Sequence, residues 1–382
     1  MLRDAPRTLK TSSLAVTSKD AVSVFADCSA VIEQSGGMSG SFVSGVSRAN
    51  STAAQWLKSN PGACAPANGC LQDFQPQLVV CGTLAVGTCI RYEAAASVPV
   101  VYVFLCRELL DFFGDVLQVQ PHRPCFLATS PLLDCEVLPA AGQLRQTGTW
   151  DLPDSAEVPL KLQDFLDAGE APVAIGWGSM IAQGMPRPAM LGLAIRALRQ
   201  LGARGVVLGG WARLEELAAE LREGKLPSIG EDWNDLARYA TENICCVSEA
   251  PHSWLFPRCS CIVHHGGVGT TQAAVRSGKP SVITPIFGDQ FQNSLNIKRL
   301  GVGVGFTSAL PEISVESLTD AIRSAWNMSE AAASVGTRAS RERGLQDAAQ
   351  ALQEFLLLQL RSGLWDLRLR ELEELKDVPA KL

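Results

Sequence analysis

Between Pro172 and Trp326 the chain alternates short β-branched apolar runs with longer amphipathic stretches. The runs are PVAIGWG from Pro172, GVVLGG from Gly205, ICCVS from Ile244, CIVHH from Cys261, SVITPI from Ser281 and GVGVGF from Gly301. Stretches between them, such as MLGLAIRALRQLG from Met190, repeat apolar positions at steps of three and four, the period of a helix with one buried face. A strand that is apolar throughout needs cover on both faces, and intervening helices supply it in a parallel sheet. Six strands at this spacing predict a doubly wound α/β domain.

The first half carries the same signal more faintly. PQLVVCG from Pro76, PVVYVFL from Pro99 and PCFLATS from Pro124 read as strands, with LAVGTCIRYEAAAS as a helix between the first two. SGGMSGSFVSGVSRANST from Ser35 reads as a loop. Pro153 and Pro159 interrupt any periodicity in TGTWDLPDSAEVP, which reads as a linker. After Trp326 the pattern is helical to the end, and the alternating charges of LRLRELEELK read as a solvated face. The expected division is a partial N-terminal Rossmann-like domain at 1–150, a second α/β domain at 151–330 and C-terminal helices at 331–382.

Composition narrows the classes of function. Of 382 residues, 47% are hydrophobic and 19% charged, enough apolar surface for two cores and too much for a disordered chain. No uncharged apolar run reaches the roughly 18 residues of a transmembrane helix. A net charge of -6 without a basic block disfavours nucleic acid, whose binding rests on neutralising phosphates. The 12 cysteines are scattered, form no Cys-x-x-Cys pair, and several sit in apolar runs, so a reduced cytoplasmic protein is expected. The N-terminus has no apolar signal core, and Asp4 and Asp20 argue against a transit peptide.

The chemistry concentrates in one segment, APHSWLFPRCSCIVHHGGVGTTQAAVRSGKPSVITPIFGDQFQN. A strand ending at His264 runs into a turn with Gly266, Gly267 and Gly269, and a helix begins near Thr270. Glycines permit close backbone approach, and the unpaired N–H groups at a helix start form a seat for phosphate. Thr270 and Thr271 add hydroxyl donors, and His265 adds a donor or a positive charge. A purely structural turn explains the glycines equally well. The glycine spacing and late position do not fit a dinucleotide fingerprint, and SGKPS from Ser277 has Pro280 where a Walker A hydroxyl belongs.

Three of the four histidines, His252, His264 and His265, lie within fourteen residues. Adjacent residues at a strand end point to opposite faces, so one histidine serves the site and the other packs, with His265 favoured for the ligand. Asp289 and Gln290, beyond the next strand, can bind vicinal hydroxyls; an Asp capping the following helix reads the same. Ser179, after the domain's first strand, can contact phosphate or simply close a turn.

These segments, PHSWLFPRCSCIVHHGGVGTT with GKPSVITPIFGDQFQN, together with IGWGSM and VLGGW, resemble the donor-binding domain of UDP-dependent glycosyltransferases of the two-Rossmann-domain, GT-B type. The likeness is to sterol 3-beta-glucosyltransferases and related bacterial antibiotic glycosyltransferases. It is strong from Pro172 to Trp326 and reaches the first half only through FQPQLVVCG and TGTW. It implies metal-independent transfer of a hexose, glucose foremost, with inversion, to a hydrophobic acceptor such as a sterol or lipid. UDP-sugar enters as a co-substrate; no cofactor, metal or nucleic acid is implied, and peripheral membrane contact is compatible with the acceptor. By this likeness Ser179, His265, Gly267, Gly269, Thr270 and Thr271 hold the diphosphate, Asp289 and Gln290 the sugar, and Ala250 and His252 line the uridine.

The family's general base, an Asp or His in a glycine-rich loop after the first strand, has no counterpart here. The Gly-Thr-Arg-Gly-Asp segment of sterol enzymes is missing, His122 is in the wrong place, and Asp20 and Asp27 flank AVSVFA outside the expected loop. General-base help contributes typically 10²–10⁴-fold, so its loss leaves donor binding with little turnover as the alternative. A third reading is a structural α/β protein without nucleotide binding.

Overall fold

A computed structural model of the chain describes residues 78–82, 99–105, 107, 124–134, 144–151, 157–226 and 229–367. The expected Ser35 loop, the LAVGTCIRYEAAAS helix, Asp20, Asp27, His122 and most of LRLRELEELK lie outside the described residues.

All six runs of the second half form strands: β5 (Val173–Gly176), β6 (Gly205–Leu208), β7 (Ile244–Val247), β8 (Cys261–His264), β9 (Ser281–Ile283) and β10 (Gly303–Gly305). They make one parallel sheet in the order β10-β9-β8-β5-β6-β7. β5 pairs with both β6 and β8, Gly176 standing opposite Leu208 on one side and His264 on the other. The order therefore reverses at β5, and a crevice opens where the loops after β5 and β8 diverge.

Helices cover both faces because the sequence supplies matching stripes. The first long helix (Arg187–Leu201) starts behind Pro186 with Pro188 in its first turn and buries Met190, Leu191, Ala194, Ile195 and Leu198. Gly202, at φ 64°, ends it and donates its N–H to the carbonyls of Leu198 and Arg199. A second helix (Val315–Trp326) packs beside it, its N–H at Ser317 capped by Ser314 Oγ at 3.1 Å. On the opposite face, Ala174, Val206, Ile262, Phe256 and Ala274 share a second cluster with the helix Leu160–Asp167. Trp177 is fully buried just past β5, and its indole N–H donates to Thr284 Oγ1 at 3.0 Å.

A second parallel sheet lies in the first half: β1 (Val79–Gly82), β2 (Val100–Phe104), β3 (Cys125–Leu127) and β4 (Leu144–Gln146), in that order. Three of these were legible in the sequence. β4 was not, because LRQ is too short and polar to show a strand pattern. The late helix Gly344–Phe355 buries Ala348, Ala351 and Phe355 against Val101, Val103 and Phe126 of this sheet, with Trp365 edge-on to Phe355 at 5.4 Å. The end of the described chain thus completes the core of its beginning. Among the described residues no helix is long and apolar enough to cross a membrane.

Candidate nucleotide-sugar cleft

A cleft of about 450 Å³ opens at the carboxyl edge of the six-stranded sheet, beside β5. Gly178 and Ser179 line it after β5, Gly210 and Trp211 after β6, Ala250 and His252 after β7, and His264 and Thr270 around β8. Three loops are tied into one wall. Gly209 N–H donates to Val247 O at 2.8 Å, Gly210 N–H to Ser248 O at 3.0 Å, and Trp211 N–H to Gly178 O at 2.9 Å.

The glycine-rich turn forms as its composition requires. Gly266 takes φ 92°, and a β-carbon there would stand 2.6 Å from Ile283 Cγ2. Gly267 is the N-cap of the helix Val268–Arg276, and the first helical bond runs from Thr271 N–H to Gly267 O at 2.9 Å. The N–H groups of residues 268–270 therefore precede the helix ladder, at the positive end of its dipole. Thr270 faces the cleft and Gly269 is exposed. Thr271 is fully buried, and its hydroxyl donates back to Gly267 O at 3.0 Å, so it braces the turn from inside.

The two histidines do part company. His264 continues the Ala174 and Ile262 side of the sheet, lines the cleft, and accepts Gly266 N–H on Nδ1 at 3.1 Å. His265 is buried between the two glycine turns: a β-carbon at Gly267 would stand 2.4 Å from its Nε2, and one at Gly178 3.3 Å from its Cε1. Glycine at both positions makes room for the imidazole. Burial, helped by the charge of His252, pushes the His265 pKa down to about 4. Of the two roles the sequence left open for His265, donor or positive charge, burial favours the neutral form, because desolvation penalises the cation. His264 is held low for the same reason, with His265 and His252 adding to burial.

Asp289 stands at the N-cap position of the helix Gln290–Leu300, yet its side chain makes no cap bond. Instead Asn293, which the sequence reading did not single out, places its Nδ2 2.9 Å from Gly266 O and 3.4 Å from Asp289 Oδ2. It joins the glycine turn to the carboxylate. Gln290 is buried, and its Oε1 accepts the backbone N–H groups of Ile286 at 2.7 Å and Phe287 at 3.1 Å. That oxygen holds its own loop. A two-residue local bond of this kind leaves no periodic trace in a sequence. Ala250 and His252 lie in the wall, with His252 stacked on Phe256 at 4.4 Å. Trp211, 55% exposed at the rim, also lines the cleft, and nothing in the sequence pattern marked it as a site residue, because exposure is set by the fold. Among the described residues no group of His, Cys, Asp or Glu is arranged to hold a metal ion.

Comparison with known proteins gives a consistent picture. Residues 226–348 match the family described as Erythromycin biosynthesis protein CIII-like, C-terminal domain. The chain is 31% identical over 243 residues to the sterol 3-beta-glucosyltransferase of Saccharomyces cerevisiae (strain YJM789), a match spanning 61% of this chain and 19% of that protein. It is 33% identical over 226 residues to the vancomycin aglycone glucosyltransferase of Amycolatopsis orientalis, spanning 57% and 49%. The chain spans less than half the length of these curated relatives. In fold it is similar to the spinosyn rhamnosyltransferase SpnG complexed with thymidine diphosphate, with a TM-score of 0.58 at 17% identity over 81% of this chain and 82% of that one. The chain thus shares its fold with solved glycosyltransferases, and its second half is similar in sequence to curated glucosyltransferases and, at residues 226–348, to the EryCIII-like C-terminal domain.

Proposed function

We propose that the chain is a glycosyltransferase that binds UDP-glucose in the cleft beside β5 and transfers the hexose, with inversion, to a hydroxyl of a hydrophobic acceptor of the sterol or lipid kind. The observation that carries this reading is the turn 266–270, where a helix start with free N–H groups and Thr270 border the cleft, with His264 in the cleft wall and the neutral imidazole of His265 buried directly behind the turn. Leaving of UDP develops negative charge on the diphosphate, and preorganised N–H donors in a partly dry site stabilise that charge without a metal. His265 supplies a donor to a phosphate oxygen, and Gly267, Gly269, Thr270 and Ser179 complete the cradle. Thr271 contributes by holding the turn. Asp289, oriented through Asn293, accepts sugar hydroxyls, and Gln290 keeps loop 286–287 in place for it. Ala250 and His252 line the uracil and ribose side, and no resident cofactor is needed.

A second reading, donor binding with little turnover, rests on the sequence, which offers no Gly-Thr-Arg-Gly-Asp counterpart for the general base. Calorimetry with UDP-glucose tests what the two readings share: binding that His265→Ala weakens supports the cradle, and equal affinity in both proteins removes it. A turnover assay with UDP-glucose and a sterol then separates the two.

A further inference from the structure

The helix that begins at the glycine turn, Val268–Arg276, also carries a buried polar contact to the segments flanking the first-half sheet. Two residues past Thr270, Gln272 turns away from the cleft and is 5% exposed. Its Oε1 accepts Ser130 N–H at 2.9 Å and the Thr149 hydroxyl at 2.8 Å, and its Nε2 donates to Ala128 O at 3.3 Å. The amide pairs with the backbone just past β3 as a neighbouring strand would. Glu342, between the helices Ser329–Ala339 and Gly344–Phe355, closes the cluster from the other side. Its carboxylate accepts the Ser130 hydroxyl at 2.5 Å and Thr149 N–H at 3.2 Å. The approach is close on all sides: a β-carbon at Gly344 would stand 2.4 Å from Thr149 O, and one at Gly148 2.9 Å from Glu342 Oε2. One turn further along the same helix, Arg276 reaches Asp151 at 3.4 Å and Ala339 O at 2.9 Å.

We propose that Gln272 is a positioning residue for the donor: its side-chain amide fixes the helix whose first turn cradles the diphosphate to residues 128–130 and 149, so that donor affinity depends on the docking of the first-half sheet. The inference rests on the cradle reading given above. The physical basis is the rigidity of a short helix. A nine-residue helix moves as one body, so a shift of its middle by loss of the amide contacts displaces the N–H groups at its start. Coupling of two sites through an element that both contact is a free energy shared by both. Gln272 does not line the cleft, and its neighbour Thr271 faces the turn.

The test is hydrogen exchange and calorimetry on the full chain with UDP-glucose, comparing wild type with Gln272→Met, which keeps length and volume but removes the amide. In the wild type, UDP-glucose is expected to slow exchange at 266–271 and also at 125–130 and 147–151. In Gln272→Met the first protection should remain and the second disappear, with affinity about 5- to 10-fold weaker, roughly the worth of one buried hydrogen-bond set at tenfold per 1.4 kcal/mol. The double variant Gln272→Glu, Glu342→Gln restores an acceptor for Ser130 and Thr149 without pairing two carboxylates, and should recover part of the affinity. That recovery separates positioning from a general loss of stability. Unchanged affinity in Gln272→Met, or transmitted protection that survives it, overturns the proposal while leaving the cradle intact. Absence of protection at 266–271 in the wild type overturns both.

Discussion

Gly210 lies against the carbonyl of Gly178: a β-carbon at 210 would stand 2.2 Å from that oxygen, which also accepts Trp211 N–H at 2.9 Å. Gly210 holds φ 53° and Gly178 φ 58°, so both sides of the contact use the left-handed region. The two turns, after β6 and after β5, form one wall of the cleft through this approach.

Gly210→Ala therefore should separate the two turns rather than fill a space. The clash is with backbone, which cannot rotate aside, and left-handed φ adds about 1 kcal/mol or more for an L side chain. Chemical denaturation should show a loss of about 2 kcal/mol or more, and UDP-glucose titration a weaker complex. A variant as stable as the wild type with unchanged affinity would mean that this wall has no part in the site.

Gln290 gives a sharper separation. Gln290→Glu keeps an oxygen for the N–H groups of Ile286 and Phe287, whereas Gln290→Leu removes that acceptor from a half-exposed loop. The second variant should lose about 1 kcal/mol of stability, the net worth of the lost hydrogen bonds in a half-exposed loop, and the first much less. Equal losses in thermal unfolding would show that the loop does not depend on that oxygen.

Asn293→Ala removes the amide shared between Gly266 O and Asp289 Oδ2. If Asp289 serves the sugar, freeing its carboxylate should weaken UDP-glucose by about fivefold, of order 1 kcal/mol, and UDP by less. Asp289→Ala should follow the same pattern with a larger gap. Parallel losses for the two ligands in calorimetry would contradict a sugar role for this carboxylate.

The buried histidines set a pH dependence whose sign is fixed. With its folded pKa lowered to about 4, His265 takes a proton less readily in the folded chain than in the unfolded one. Its stabilising contribution is complete above the unfolded value near 6.5 and is lost as pH falls through about 4. The loss amounts to about 3 kcal/mol at most; His264 adds in the same direction. Denaturation followed from pH 7 to pH 4 should show this fall, and His265→Gln should flatten it. Because the imidazole is neutral throughout, UDP-glucose affinity should hardly change between pH 6 and 8. A sharp gain in affinity on acidification across that range would mean that a charged His265 binds the phosphate.

The parallel sheet was legible because its inner strands are covered on both faces, which forces apolar runs such as VAIG and CIVH and helical stripes between them. The glycine turn was legible for a related reason: Gly266 needs a positive φ and has no room for a side chain. Strand β4 and the packing of Phe355 and Trp365 on the first sheet were not, since LRQ has no period and a stripe does not name its partner. The protonation of His265, the inward use of Thr271 and Gln290, and the junction of Gln272 with Ser130, Thr149 and Glu342 came only from the fold. Local sequence dictates backbone conformation and which face is apolar. Desolvation and hydrogen-bond partners depend on which distant segments arrive, and that is decided by the packing of the whole chain.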